Sequence, residues 1–341
     1  VAYVVVVEGD CQVIVRADRR NVRVHVERGL RVTEDNRRSF PERSLFLDGV
    51  FVGPPFIDNV RRQYALDHHQ GVIRSFTLAT CEQAAVIVAL GLPLAEDVWH
   101  LYVNEPDLDA LFAVWVLLHH ELFVDADRSV LRSVVPLLRV EGNIDTFGFE
   151  LAALTGLSPQ RYVRERRRIE RLRHREVLHR RTSEWASLDW LAYSRTTLEE
   201  IDEEFKAVLR AKSGKDVVMK PRDERKVAVW IQSPLGIYEV EEALRIRYGD
   251  ALARIVLERG DGRFTLLQCD PFMAKNLEDL YPLLDAADAH ADPKEADGWG
   301  GSAEIGGSPR RQASALCGAD VLRLVAGFDA LEPVAIMPRA R

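Results

Sequence analysis

The chain has 341 residues, 47% of them apolar, enough to bury a sizeable core and close to the length at which chains divide into two domains. Its net charge of -7 excludes a general sleeve for double-stranded nucleic acid, although a metal site would still reach an anionic substrate through its own local field.

The opening VAYVVVV is apolar but has neither a basic leader nor the length of a spanning segment, so a cytoplasmic protein with no membrane partner is expected. Cys11, Cys81, Cys269 and Cys317 lack zinc-like pairing and read as buried thiols of a reducing compartment. The first 35 residues alternate like strands and predict a small sheet or the edge of a larger one.

From residue 44 onward, short apolar runs end in acidic or small residues: Ser44 to Asp48, Arg62 to Asp67, and Val98 to Asn104. Helical patterns follow at about 77 to 90, 109 to 123, 128 to 139 and 149 to 157. Strand then helix, repeated, predicts an α/β fold, a mostly parallel sheet flanked by helices. Ligands of such sheets gather beyond the carboxyl ends of the strands. Residues 1–158 are expected to form this domain with its β-rich extension, and 159–213 a charged helical connector whose arginines are interrupted by Glu165, Glu170 and Glu176. Residues 214–341 form a second, smaller α/β domain with a closing helix near 314 to 325.

Five acidic pieces carry the chemistry: Asp48; Asp58; Asp67-His68-His69; Asn104 to Asp109 with Asp107 and Asp109; and Gly142-Asn-Ile-Asp145-Thr146. Most stand where a strand-like run stops, which brings them to one rim. Carboxylates with one or two imidazoles suit Mn2+ or Mg2+, where thiolates would have suggested zinc. Two ions roughly 3.5 to 4 Å apart would neutralise the carboxylates and hold a bridging hydroxide opposite a phosphorus atom. Asp48, Asp67, His68, Asp109 and Asp145 are the expected ligands, with Asp107 and His69 beside them; Asp58 and Asn104 are weaker candidates, Asp58 also reading as a turn residue. Asp107 also reads as a helix N-cap. His119 and His120 lie about 16 Å along the helix from Asp109 and belong to its far end.

These motifs resemble the DHH phosphoesterase superfamily, named for the triplet seen here as Asp67-His68-His69. Asp48 matches the family's strand-end aspartate, Asn104-Glu-Pro-Asp107-Leu-Asp109 its paired aspartates, and Asp145-Thr146 its Asp-Thr element. The motif order is permuted, the paired aspartates following the triplet, and Val103 stands where the family carries a histidine ligand. The resemblance implies a dimetal, commonly manganese-dependent, phosphoesterase followed by a small domain that contacts substrate. Its glycine-rich loop resembles Gly300, Gly301, Ser302, Gly306, Gly307 and Ser308, with Arg310 and Arg311 able to hold phosphate. A phosphorylated small molecule or short oligonucleotide is the expected ligand. Two other readings stay open: a degenerate member that binds a phospho-ligand without cleaving it, and a partner-binding protein working through its charged helices. A homodimer is compatible with all three.

Overall fold

The computed structural model describes residues 2–9, 11–124, 128–148, 151–213 and 225–336. It divides into two compact units, Val1–Met219 and Lys220–Arg341.

The first unit is built on a seven-stranded sheet of order β1-β2-β3-β7-β4-β6-β5. Its strands are β1 (Tyr3–Glu8), β2 (Cys11–Arg16), β3 (Val22–Val26), β4 (Ser44–Leu47), β5 (Phe56–Asp58), β6 (Gln63–Leu66) and β7 (Trp99–Val103). The four central strands β3, β7, β4 and β6 run parallel. β1 and β2 extend one edge antiparallel and β5 closes the other, so the alternating N-terminal segment is the edge of the large sheet. Every residue of β4 and β6 is buried, as expected where helices cover both faces of a parallel core.

The helices of this unit are α1 (Thr80–Ala89), α2 (Leu108–Leu118), the short α3 (Glu121–Val124) and α4 (Arg128–Ser133), α5 (Val135–Phe147), α6 (Pro159–Arg181), α7 (Trp190–Glu204) and α8 (Lys206–Ser213). All eleven residues of α2 are buried, which fits a sequence that is apolar on every side after Asp109. α2 stops at Leu118, short of the expected 123, because Arg16 of β2 donates from Nη1 to the Leu118 carbonyl (2.8 Å) and covers the helix end. α5 runs on through Gly142 to Phe147, past the expected 139. The glycine there serves close helix packing, since a Cβ would stand 2.5 Å from Glu82 Oε2 and 3.0 Å from the Ala79 Cβ. In place of the helix expected at 149 to 157, the described part holds one 3-10 turn, Ala152–Thr155, ended by Gly156 at φ 68°. α6 buries Tyr162, Ile169 and Leu172, and α7 buries Leu198 and Ile201. A buried network ties α7 to the sheet: the Tyr3 hydroxyl donates to Asp202 Oδ1 (2.8 Å), which also accepts from Trp115 Nε1 (2.8 Å).

The second unit carries a six-stranded sheet of order β11-β12-β10-β9-β8-β13. Its elements are β8 (Val227–Gln232), α9 (Ile237–Tyr248), β9 (Leu252–Glu258), β10 (Phe264–Gln268), α10 (Leu277–Ala287), β11 (Gly300–Gly301), β12 (Ile305–Gly307), α11 (Gly318–Phe328) and β13 (Glu332–Ile336). α10 and β13 have no counterpart in the sequence reading. The closing helix begins at Gly318, after a loop that ends on Cys317 at its N-cap position. Of the cysteines, Cys81 and Cys269 are buried thiols as expected, whereas Cys11 and Cys317 are exposed: one opens β2 beside a hairpin turn, the other precedes α11. No helix among the described residues is long and apolar enough to cross a membrane.

Candidate metal centre

The parallel register builds the rim. Leu47 pairs with Leu66 on one side and Val103 on the other, so Asp48, Asp67 and Asn104 all follow strand ends at the same edge. Beyond β4 the chain turns through left-handed backbone at Asp48 (φ 51°) and Gly49 (φ 78°). A non-glycine residue in that region is uncommon, and such strain gathers at functional sites. The Asp48 Oδ1 there accepts from the Thr80 hydroxyl (2.9 Å) and lies 3.0 Å from His69 Nε2.

Asp109 comes from the first turn of α2. Its two oxygens accept from the backbone N–H groups of Thr80 (2.9 Å) and Cys81 (3.0 Å), so it also covers the N-terminus of α1, whose orphan donors favour an anion. Asp107 is the N-cap of α2, accepting from Ala110 N (2.9 Å). Asp145 is on the last turn of α5, a helical placement that its Gly-Asn-Ile context does not announce.

His68 joins these pieces. Its fully buried Nε2 lies 3.0 Å from Asp145 Oδ2 and 3.8 Å from both Asp48 Oδ1 and Asp109 Oδ2. It is aligned with none of them as a hydrogen bond, and Asp67 Oδ2 is likewise buried without a partner. Among the described residues, two groups result that could hold a metal ion: Asp48 with His68 and His69, and His68 with Asp109 and Asp145. A buried imidazole nitrogen with no aligned donor or acceptor, facing carboxylate oxygens, fits a divalent cation by its donor chemistry.

The electrostatics favour an incoming cation. Burial, then the Asp48 and Asp145 carboxylates, push Asp109 up to about 6. Burial followed by Asp48 raises Asp107 well above the usual carboxylate range. Asp145 goes the other way: against the effect of burial, His68, Arg74 and Arg173 hold it low. The hydrogen bond to Asp48 raises His69.

Several participants were not legible beforehand. Arg74 Nη2 donates to Asp145 Oδ2 (2.8 Å), and its Nη1 contacts His69 Nδ1 (3.1 Å), so one guanidinium touches a member of each group. Arg173 of α6 binds buried Glu141 (2.5 Å) and approaches Asp145 Oδ1 (3.6 Å); burial lifts Glu141 to about 8 even so. The signal available for Arg74 was its position five residues after His69.

Two candidates are elsewhere. Asp58 pairs with Gln63 at the opposite end of β6, and its carboxylate is taken by Arg37 (2.6 Å) and the N–H groups of Val60 and Arg61. Asn104 uses its amide to tie loops together, donating to the carbonyls of Leu30 (3.2 Å) and Gly49 (3.0 Å).

In the second unit, Gly300, Gly301, Gly306, Gly307, Ser308 and Arg310 line a cavity of about 780 Å³, together with Arg259 and Arg263, which the sequence reading passed over. Those two arginines flank the Gly260-Asp-Gly262 turn between β9 and β10, which was their only signal. The glycines also answer to packing: a Cβ on Gly307 would meet the Phe264 carbonyl at 2.4 Å, and one on Gly306 the Tyr281 hydroxyl at 2.1 Å. Ser302 and Arg311 do not line the cavity; the Ser302 hydroxyl closes the hairpin turn, accepting from Ile305 N (3.2 Å).

No family model and no curated protein matches the chain. Among solved structures, it is similar to an uncharacterized protein from Helicobacter pylori G27 at 10% identity, over 84% of this chain and 83% of that one, with a TM-score of 0.20. It is also similar to RecJ in complex with Mn2+ from Thermus thermophilus at 16% identity, with a TM-score of 0.19, over 93% of this chain but only 46% of RecJ.

Proposed function

We propose that the first unit hydrolyses a phosphate ester or phosphodiester with the help of Mn2+, or of Mg2+, as a permuted DHH-type phosphoesterase. The observation that carries this reading is the convergence of His68 Nε2 with the carboxylates of Asp48, Asp109 and Asp145 at the carboxyl ends of parallel strands. Asp48, Asp67, His68, Asp109 and Asp145 would hold the ions, two of them in this reading. Bound cations of this kind polarise phosphoryl oxygens and lower the pKa of the attacking water.

The chain's own groups supply the rest. Asp67 fixes the main chain at His69 by accepting its N–H (2.9 Å). In a neutral His69 ring, Nδ1 accepts from Arg74 and Nε2 donates to Asp48, which leaves Arg74 as the cationic group that would meet a phosphate, with His69 beside it. Asp107 caps α2 behind the ligands, accepting from the Ala110 N–H. Gly300, Gly301, Gly306, Gly307, Ser308 and Arg310 would make a phosphate-binding surface of the second unit by itself, and the division into residues 1–158, 159–213 and 214–341 belongs to the same proposal.

Mn2+ titration calorimetry, followed by turnover of phosphomonoester, cyclic dinucleotide, short oligonucleotide and polyphosphate panels, tests the proposal. Asp67→Asn is expected to cut metal affinity or activity by roughly 10–100-fold while the fold persists. Unchanged turnover in that variant would remove the assignment. One observation favours a second reading, binding without cleavage: β7 ends in buried Val103, which offers no donor atom. Stoichiometric Mn2+ binding with no turnover of any panel member would select it.

A further inference from the structure

We infer that α6 is a splint across the carboxylate rim, in which Arg173 and Arg180 are positioning residues that set where Asp145 stands relative to Asp107 and Asp109. This role presupposes the metal reading of the rim and nothing about its substrate.

Arg173, Glu176 and Arg180 follow the i, i+3, i+7 spacing that keeps side chains on one face of a helix. The two ends of that face reach two different ligand-bearing segments. Arg173 Nη2 lies 2.5 Å from Glu141 Oε1 and 3.6 Å from Asp145 Oδ1, residues one turn apart on α5. Arg180 Nη2 lies 2.8 Å from Glu105 Oε1, two residues before the Asp107 cap of α2. Glu176 accepts from Arg180 Nε (2.8 Å), and Trp185 Nε1 donates to the same Glu105 oxygen (2.9 Å), so this end is braced from both sides. Seven residues span about 10.5 Å of helix, and buried Ile169 and Leu172 seat α6 in the core. Segments far apart in sequence are thereby tied to one rigid rod.

The tie also orients a ligand. Asp145 turns Oδ1 toward Arg173 and keeps Oδ2 at 3.0 Å from His68 Nε2. Arg74 touches Oδ2 as well (2.8 Å), but from a short turn and with a side chain 42% exposed, whereas Arg173 is anchored on the interior side by a glutamate that is fully buried.

The energetics of that anchor argue for position over stability. Glu141 leaves Oε2 buried without a hydrogen-bond partner. A buried ion pair contributes little net stability, because desolvation offsets the attraction, and an apolar pair of the same volume would hold α5 to α6 as well. What such an apolar pair would lack is a guanidinium at a fixed place beside Asp145. Arg166 and Glu170, paired along the more exposed side of α6, fix nothing beyond the helix itself.

The full chain carrying Glu141→Leu together with Arg173→Met tests this. The double change removes one charge of each sign, so the net charge beside the rim is kept, and it orphans neither partner, so the metal-free urea midpoint should stay close to the native one. Mn2+ affinity by isothermal titration is expected to fall roughly 10–100-fold, the loss typical when the outer partner of a ligand is removed, and the paramagnetic resonance spectrum of the bound Mn2+ to broaden. Arg180→Gln, at a side chain 42% exposed where folding is not at stake, should weaken Mn2+ binding by roughly two- to fivefold, the size of one partly exposed ion pair. Native affinity in the Arg180→Gln chain, or in a folded double variant, overturns the inference and leaves the metal reading intact; should the double variant fail to fold, Arg180→Gln decides alone. A native chain that takes up no Mn2+ ends the inference and the metal reading together.

Discussion

The Nε2 of His68 lies 3.0 Å from Oδ2 of Asp145, which joins the end of β6 to the last turn of α5. His68 belongs to both candidate ligand groups, whereas His69 belongs to one. His68→Ala is therefore expected to weaken both Mn2+ equivalents together, by at least roughly tenfold each, and His69→Ala to weaken one. Calorimetric stoichiometry checks this, and two independent losses in the two variants would show that the sites do not share a ligand.

Asp109 serves two masters, the N-terminus of α1 and the carboxylate rim. Its acid is raised from 3.8 to about 6, so near neutral pH the folded chain carries a charge it accommodates poorly. Asp109→Asn removes that charge and keeps one acceptor for α1. Metal-free stability should hold or rise by about 1 kcal/mol, while the stabilisation given by Mn2+ disappears. For the native chain that stabilisation is about 2.7 kcal/mol at one hundred times the dissociation constant. Urea unfolding with and without Mn2+ reads both numbers; a metal-free loss of several kcal/mol would make Asp109 only a helix cap.

His25 and His100 face each other across β3 and β7, Nε2 to Nδ1 at 3.0 Å, and burial followed by the neighbouring His100 and Arg23 lowers His25 from 6.5 to about 4. The unfolded chain thus takes up a proton near pH 6.5 that the folded one refuses until about 4. Stability from this ring is complete above the higher value and declines below it, by about 2 kcal/mol between roughly pH 7 and pH 5. His25→Gln should flatten that part of the profile, as followed by denaturant midpoints.

Gly307→Ala would set a methyl 2.4 Å from the Phe264 carbonyl, a backbone atom that cannot swing aside. β12 must then separate from β10, at about 1–3 kcal/mol. Faster amide exchange at Leu266 and Gln268, whose N–H groups face β12, with no change at Val229, would register the local opening.

The sheet rim was readable because a parallel strand followed by an acid places that acid at one known edge, and β4 and β6 obey this. Asp58 misleads by the same logic: β5 runs antiparallel to β6, so the end of its run lies at the other edge. Direction is a property of pairing, and no residue between 56 and 58 records it. Asp145 was visible as an Asp-Thr pair but not as part of a helix, because Gly142 imitates a loop signal while serving close packing of α5 on α1. Arg74, Glu141 and Arg173 matter only through convergence of segments far apart in sequence. Spacing rules cannot express that. α2 was legible as apolar throughout, yet its end depends on Arg16 from a strand at the other end of the domain sequence.

Because α2 is enclosed along its whole length, the carboxylate at its first turn inherits the rigidity of the hydrophobic interior. A volume change at Val114 or Leu117, several residues from any donor atom, must shift or tilt that helix in order to be accommodated. A metal held at this rim would thus be vulnerable to lesions that never touch a chelating group. A survey of inactivating substitutions would find some of them in the oil rather than at the ion.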